Sequence, residues 1–344
     1  MCGLGLRLLL GLSTFVLINC SDVQFEQLPV ESTQQSETPP VNGKGVTESF
    51  EQTSEEPKLD ILVIVDNSPS MRREQRKLGE RMSSFTSHLE DVDWQISVTN
   101  TDVSSGSHAK NGHLFKFEDT NKKTLTKHDP DYNDLFLKTV VMKDAADCVG
   151  GCPSTTEQPL AALGMAISMG DNENYELFRD NSDFAVIIIS DEDEMSTGPS
   201  RAMKPRKVLA AMNGLFPEKN ISVHGVIIEP GDRDCKDDQG YDGSYGTHVA
   251  EFARITNGVT TSICADDYAY GLSDIGQVAR QLLNSVTLSR KPLENSVSVS
   301  FSPFHATNFS VSGKKILFEI PPPAGTQITV NYAVDEGDIV PLEH

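Results

Sequence analysis

Leu59-Asp60-Ile61-Leu62-Val63-Ile64-Val65-Asp66-Asn67-Ser68-Pro69-Ser70-Met71 decides the fold: an aliphatic, β-branched run ends abruptly in one carboxylate and two hydroxyls at alternate positions. Such a run reads as a central parallel strand buried on both faces. Asp66, Ser68 and Ser70 then stand where the strand ends, the part of an open α/β sheet where ligands bind. Their oxygens suit Mg²⁺, Mn²⁺ or Ca²⁺ and do not suit Zn²⁺ or Cu²⁺. A plainer reading makes the segment a polar turn in which Ser68 or Ser70 caps the next helix.

A second strand repeats the pattern. Asp183-Phe184-Ala185-Val186-Ile187-Ile188-Ile189-Ser190 runs into Asp191-Glu192-Asp193-Glu194. Four acids here also fit the start of a helix, where the dipole favours negative charge. Between the two strands, Gly150-Gly151-Cys152-Pro153-Ser154-Thr155-Thr156-Glu157-Gln158-Pro159 leads into a helix of small residues from Leu160 to Ile167. Thr155 or Thr156 fits an N-cap there.

Taken together, Asp66-x-Ser68-x-Ser70, the loop before Leu160 and Asp191 resemble the metal-ion-dependent adhesion site of von Willebrand factor A domains. In that family one Asp and two Ser share a divalent ion with a Thr from a second loop and an Asp from a third. The sixth position is left for a carboxylate of a protein partner. The resemblance implies Asp66, Ser68, Ser70, Thr156 and Asp191 as ligands of Mg²⁺, with Mn²⁺ or Ca²⁺ as alternatives. The family's Gly-x-Thr is absent, so Thr155 and Glu157 are alternatives in the second loop, and Asp193 is one in the third. It also implies a doubly wound, mainly parallel α/β sheet over residues 58–290 and binding rather than catalysis. Neutral hydroxyls keep the ion electrophilic, and an electrophilic ion attracts an incoming Asp or Glu.

The stretch from Ser190 to Ser196 resembles the version found in bacterial lipoproteins of the family, and the N-terminus agrees. Residues 1–19 read as a signal peptide, whose apolar stretch Leu8 to Ile18 is too short to span a bilayer. Leu17-Ile18-Asn19-Cys20 resembles a lipobox, implying a lipidated Cys20. Residues 20–57, with eight acids and one Lys after Cys20, read as a disordered tether. The expected location is the bacterial cell envelope, lipid-anchored and leaning to the outer membrane; a secreted or periplasmic protein is the alternative.

Fifty acidic residues against 29 basic ones give a net charge of −21. Phosphate binding needs the opposite sign, so nucleic acid is excluded as a partner, and the membrane is met through the lipid alone. Removing the signal peptide and lipidating Cys20 leaves Cys148, Cys152, Cys235 and Cys264. An even count in an exported chain suggests two disulfides, with three possible connectivities. Cys148–Cys152 with Cys235–Cys264 is preferred, and a four-Cys zinc site is the runner-up.

From Leu59 the periodicity predicts alternating strands and helices, including strands at 94–100, near 113–117, at 221–229 and near 260–264. Helices are expected after Met71, at 131–143, 157–169, near 207–216, near 247–255 and at 272–286. The acid-rich stretch 231–245 reads as a solvated, disulfide-pinned loop, and His224 as a packed histidine. Residues 291–344 read as a small β module in which Lys315 to Ile320 and Gln327 to Tyr332 form a hairpin through Pro321-Pro322-Pro323-Ala324-Gly325.

No small-molecule substrate is expected. The main competing function is a Mg²⁺-dependent phosphoryl-transfer hydrolase with Asp66 as nucleophile. Ser68 stands where such enzymes usually place a second acid, and the chain has no phosphate-cradling Gly-Lys-Ser/Thr. A third possibility is a structural envelope protein whose ion only stabilises the fold.

Overall fold

The computed structural model describes residues 43–52, 57–142, 152–195, 201–217, 219–240 and 243–335. Its centre is a six-stranded sheet of order β4-β3-β2-β5-β6-β7. The strands are β2 (Lys58–Val65), β3 (Asp93–Asn100), β4 (Leu125–Thr126), β5 (Ser182–Ser190), β6 (Ile221–Ile227) and β7 (Thr260–Ser262). All pair in parallel except β4, which joins the edge antiparallel to β3.

Period-two alternation sorts the strands' side chains between two helical layers. Leu59, Ile61, Val63 and Val65 pack with α1 (Arg72–Thr86), α2 (Tyr132–Val140) and α7 (Ala269–Leu282). Leu62 and Ile64 pack on the other face with α3 (Pro159–Ser168), α4 (Pro205–Leu215) and α6 (Thr247–Ile255). Each fully buried aliphatic side chain contributes about 1.5–3 kcal/mol, which is why β2 and β5 tolerate almost nothing polar. This is the doubly wound layered architecture expected from the sequence.

Asp60 is the exception inside β2, fully buried at the amino end of the sheet. Arg179 donates to it through Nε (2.8 Å) and through its backbone N–H (2.9 Å), and Ser182 donates its hydroxyl. Arg179 also reaches Asp93 at 2.9 Å, and Lys219 lies 3.5 Å from Asp60. A buried carboxylate persists only when paired in this way. These charges are structural, at the end opposite the residues of interest.

Helix boundaries shift from the periodic reading by a few residues, and four expectations need correction. No strand forms at 113–117; that segment runs beside β3, with Phe115 N–H bonded to the Val98 carbonyl (2.8 Å), and β4 lies further on. The stretch after Gly231 contains a short helix, α5 (Arg233–Gln239), because the Asp232 side chain accepts the Cys235 N–H. The tether expected over 20–57 ends early: β1 (Lys44–Glu51) is an eight-residue strand on β12 (Gln327–Val334), register Lys44↔Val334 to Glu51↔Gln327. Its half-buried Val46 and Phe50 pack on the cluster of Ile328, Val330 and Tyr332.

The C-terminal hairpin is also different. β12 pairs with β1 and β9 (Ser298–Ser302), whereas β11 (Lys315–Phe318) pairs with β10 (Phe309–Ser312) and β8 (Ser285–Thr287). A tight turn at Gly313, φ +62°, closes β10 onto β11. Three consecutive prolines after Ile320 donate no ladder hydrogen bonds, so β11 and β12 go to separate three-stranded sheets.

Cys235 and Cys264 form a disulfide, Cα–Cα 5.5 Å. Closing a span of 29 residues stabilises by roughly 3–4 kcal/mol in the loop-entropy account. Cys152 is disulfide-bonded, and Cys148 and Cys20 lie outside the described residues.

Candidate metal centre

Three loops meet at the carboxyl end of the sheet. The first follows β2. Asp66 continues the ladder by donating its N–H to the Ile189 carbonyl (2.9 Å), which fixes it between β2 and β5. One carboxylate oxygen accepts the Ser68 N–H (2.8 Å) and the other accepts the Ser190 hydroxyl (2.6 Å). Ser68 Oγ and Ser70 Oγ lie 2.9 Å apart, and the Gln75 amide donates to the Asp66 carbonyl at 2.8 Å. Asp66 and Ser68 are buried, whereas Pro69 and Ser70 are exposed.

The third loop follows β5. Asp191 is 1% exposed, and its side chain lies close enough to Ser70 and Asp66 for both to act on its carboxyl. Ser190 holds this loop as well, accepting the Glu192 N–H at 3.0 Å. Asp66, Ser68, Ser70 and Asp191, all read from the sequence, are therefore brought together.

The second loop departs from expectation. Thr155 and Thr156 are exposed, and neither hydroxyl bonds the Asp66–Asp191 group among the described residues. The Thr156 N–H is held by Ser154 Oγ at 3.0 Å. Glu157 is fully buried instead, and takes the Thr101 hydroxyl on Oε2 at 2.6 Å. Asp193 is engaged elsewhere: His248 of α6 binds it through its N–H (2.9 Å) and Nδ1 (2.7 Å).

Electrostatically this end of the sheet is under strain. Burial, outweighing its hydrogen bonds, raises the Asp66 carboxyl above the usual range. Burial, then the Asp66 charge, pushes Asp191 up to about 7. Burial, then Asp66, with smaller repulsion from Glu192 and Asp191, pushes Glu157 up to about 10. The charges that act most strongly on Asp191 and Glu157 are negative. Three buried acceptors, Asn67 Oδ1, Asp191 Oδ1 and Glu157 Oε1, have no hydrogen-bond partner among the described residues.

Orphaned hard oxygens amid uncompensated negative charge fit a hard divalent cation. Among the described residues no three His, Cys, Asp or Glu side chains form a ligand set alone, so hydroxyls and water would have to complete the shell.

Sequence reading missed Thr101, Ser190 and Asp102. Asp102 accepts the N–H of Ser104 (2.9 Å) and of Ser154 (3.0 Å), tying the end of β3 to the second loop. The available signal was their position: each sits at or just past the carboxyl end of a strand in the same sheet.

No protein-family model matches the chain, and no curated sequence is similar to it. Solved structures similar to it include proximal thread matrix protein 1 from the mussel byssus, at 14% identity and TM-score 0.36 over 70% of this chain and 51% of that one. The pilus adhesin SpaC from Lactobacillus rhamnosus GG gives 8% and 0.33, over 84% of this chain and 41% of that one. The chain thus spans about half or less of the length of these two. The manganese-loaded TRAP protein of Plasmodium vivax gives 13% and 0.34, over 69% of this chain and 78% of that one. Scores this low decide nothing about the site, and the architecture rests on the sheet order.

Proposed function

We propose that the chain is a cell-envelope lipoprotein whose A-type domain binds a protein partner through a divalent cation held by Asp66, Ser68, Ser70 and Asp191. One observation carries the reading: two buried, mutually repelling carboxylates and a hydroxyl pair share the carboxyl end of the sheet, with an orphaned oxygen on Asp191. A hard cation would satisfy that oxygen and supply the missing positive charge. When bound it would act as a Lewis acid towards a carboxylate, and the exposed Pro69 and Ser70 leave the rim open to a partner. The chain's own part is to hold Asp66 by Ser68 and Ser190, and to keep the third loop in place by the Asp191 carbonyl, which accepts the Ser244 N–H at 2.9 Å.

The near-complete burial of both carboxylates also favours a second reading, a cation that only stabilises the fold. A hydrolase using Asp66 gains no support: Ser68 stands where the second acid would be.

Calorimetric titration of the oxidised full chain with Mn²⁺ and Mg²⁺ tests the reading. Wild type is expected to bind, and Asp66→Ala and Ser68→Ala to lose binding while still unfolding cooperatively in urea. A wild type that binds neither ion sinks the proposal. Partner capture unchanged by a chelator would leave only the structural cation. Anchoring is checked separately by fatty-acid labelling, which Cys20→Ser should abolish.

A further inference from the structure

We infer that Glu157, in place of a threonine, is the contribution of the second loop to the cation site. That loop then brings a negative charge where the A-domain pattern brings a neutral hydroxyl. The inference rests on the cation reading above and deepens it.

Three observations carry it. Glu157 is fully buried, and its Oε1 has no hydrogen-bond partner among the described residues. Leaving a buried acceptor unmet costs about 1–3 kcal/mol, so an unmet oxygen close enough to feel the charges of Asp66 and Asp191 calls for a ligand. The side chain is also positioned with care. The Thr101 hydroxyl fixes Oε2 at 2.6 Å, and the Glu157 carbonyl accepts the Met195 N–H of the third loop at 2.9 Å. The next residue, Gln158, returns its N–H to the Thr101 carbonyl at 3.2 Å. Finally, the threonines are fixed outside: Asp102 anchors the loop at Ser154, Ser154 Oγ holds the Thr156 N–H, and both threonine side chains are exposed.

A third carboxylate changes what the site does. With Asp66 and Asp191 alone, two negative charges face a doubly charged ion; with Glu157 there are three. With the Ser68 and Ser70 hydroxyls and water completing the shell, the site then holds its cation without a partner's carboxylate, and the ion is resident before any partner arrives. Thr101 is a positioning residue for this role, since it touches Glu157 and reaches the cation only through it.

The experiment is a Mn²⁺ titration of the full chain, followed by the electron paramagnetic resonance signal of free Mn²⁺ and by calorimetry. The chains compared are wild type, Asp66→Ala, Glu157→Gln, Thr156→Ala and Thr101→Val. Glu157→Gln is expected to weaken Mn²⁺ binding roughly tenfold or more, Thr101→Val to weaken it less, and Thr156→Ala to leave it unchanged. Without metal, Glu157→Gln should unfold in urea at or above the wild-type midpoint, because the amide keeps the shape of the carboxyl without its conflict with Asp66. Wild-type affinity in Glu157→Gln alongside lost binding in Asp66→Ala overturns this inference and leaves the cation reading standing. Thr156→Ala failing as badly as Asp66→Ala also overturns it. No binding by wild type overturns both. Should Glu157→Gln show no cooperative unfolding, Thr101→Val decides, and unchanged affinity there counts against Glu157.

Discussion

His224 shows what one residue does to the pH response. It sits fully buried in β6, its Nε2 2.8 Å from the Ser222 hydroxyl and its Nδ1 accepting the Val259 N–H at 3.3 Å. Nδ1 as acceptor makes this the neutral tautomer with the proton on Nε2. Burial, helped slightly by the Lys315 charge, lowers its pKa from 6.5 to about 3. The unfolded chain therefore takes up this proton first as the solution is acidified. The stabilisation is whole above the unfolded value and is lost as pH falls towards the folded one, by a few kcal/mol across the window. His224→Gln should flatten the difference between urea midpoints measured at neutral and acid pH; an unchanged slope would show that the ring does not govern acid sensitivity. At the same scale, Asp66, Ser68, Ser70 and Asp191 were legible because each follows an unmistakable strand within a short motif. Glu157 was read only as an alternative in the second loop, because nothing periodic governs a loop, and its partner Thr101 lies 56 residues earlier in the sequence.

At the scale of elements, the buried strands β2, β5 and β6 were readable, since a strand covered on both faces is apolar along most of its length. β1 was not. Lys-Gly-Val-Thr-Glu-Ser-Phe-Glu has no fully buried position, and its alternation is that of a one-sided edge strand. What holds it is remote: the Glu48 carboxylate accepts from the Tyr332 hydroxyl and from Ser289, whose hydroxyl lies at 2.8 Å. The pairing of β11 with β10 and β8 was hidden for the same reason, because local sequence names a strand without naming its neighbour. Deleting residues 43–52 is therefore expected to strip hydrogen-exchange protection from β12 and leave β2 and β5 protected. Loss of protection in β2 would mean that the two parts fold as one unit.

For the whole molecule, a net charge of −21 predicts self-repulsion that salt relieves without regard to site. Raising NaCl should lift the melting temperatures of wild type and Asp66→Ala alike, whereas Mn²⁺ should lift wild type alone. At about a hundred times its dissociation constant the ion would contribute about 2.7 kcal/mol by mass action. A Mn²⁺ shift shared by both chains would mark general screening. The antiparallel pairing of β1 with β12 has a mechanical consequence too. A load arriving from the N-terminal side meets Lys44 first, opposite Val334, and peels the ladder one pair at a time up to Glu51. The eight residues of β1 already span about 26 Å as a strand, and they come off one by one before the force reaches β2 and the large parallel sheet. Each pair freed on the way gives up only its own ladder contacts, so β1 is placed to yield to tension before the large parallel sheet does.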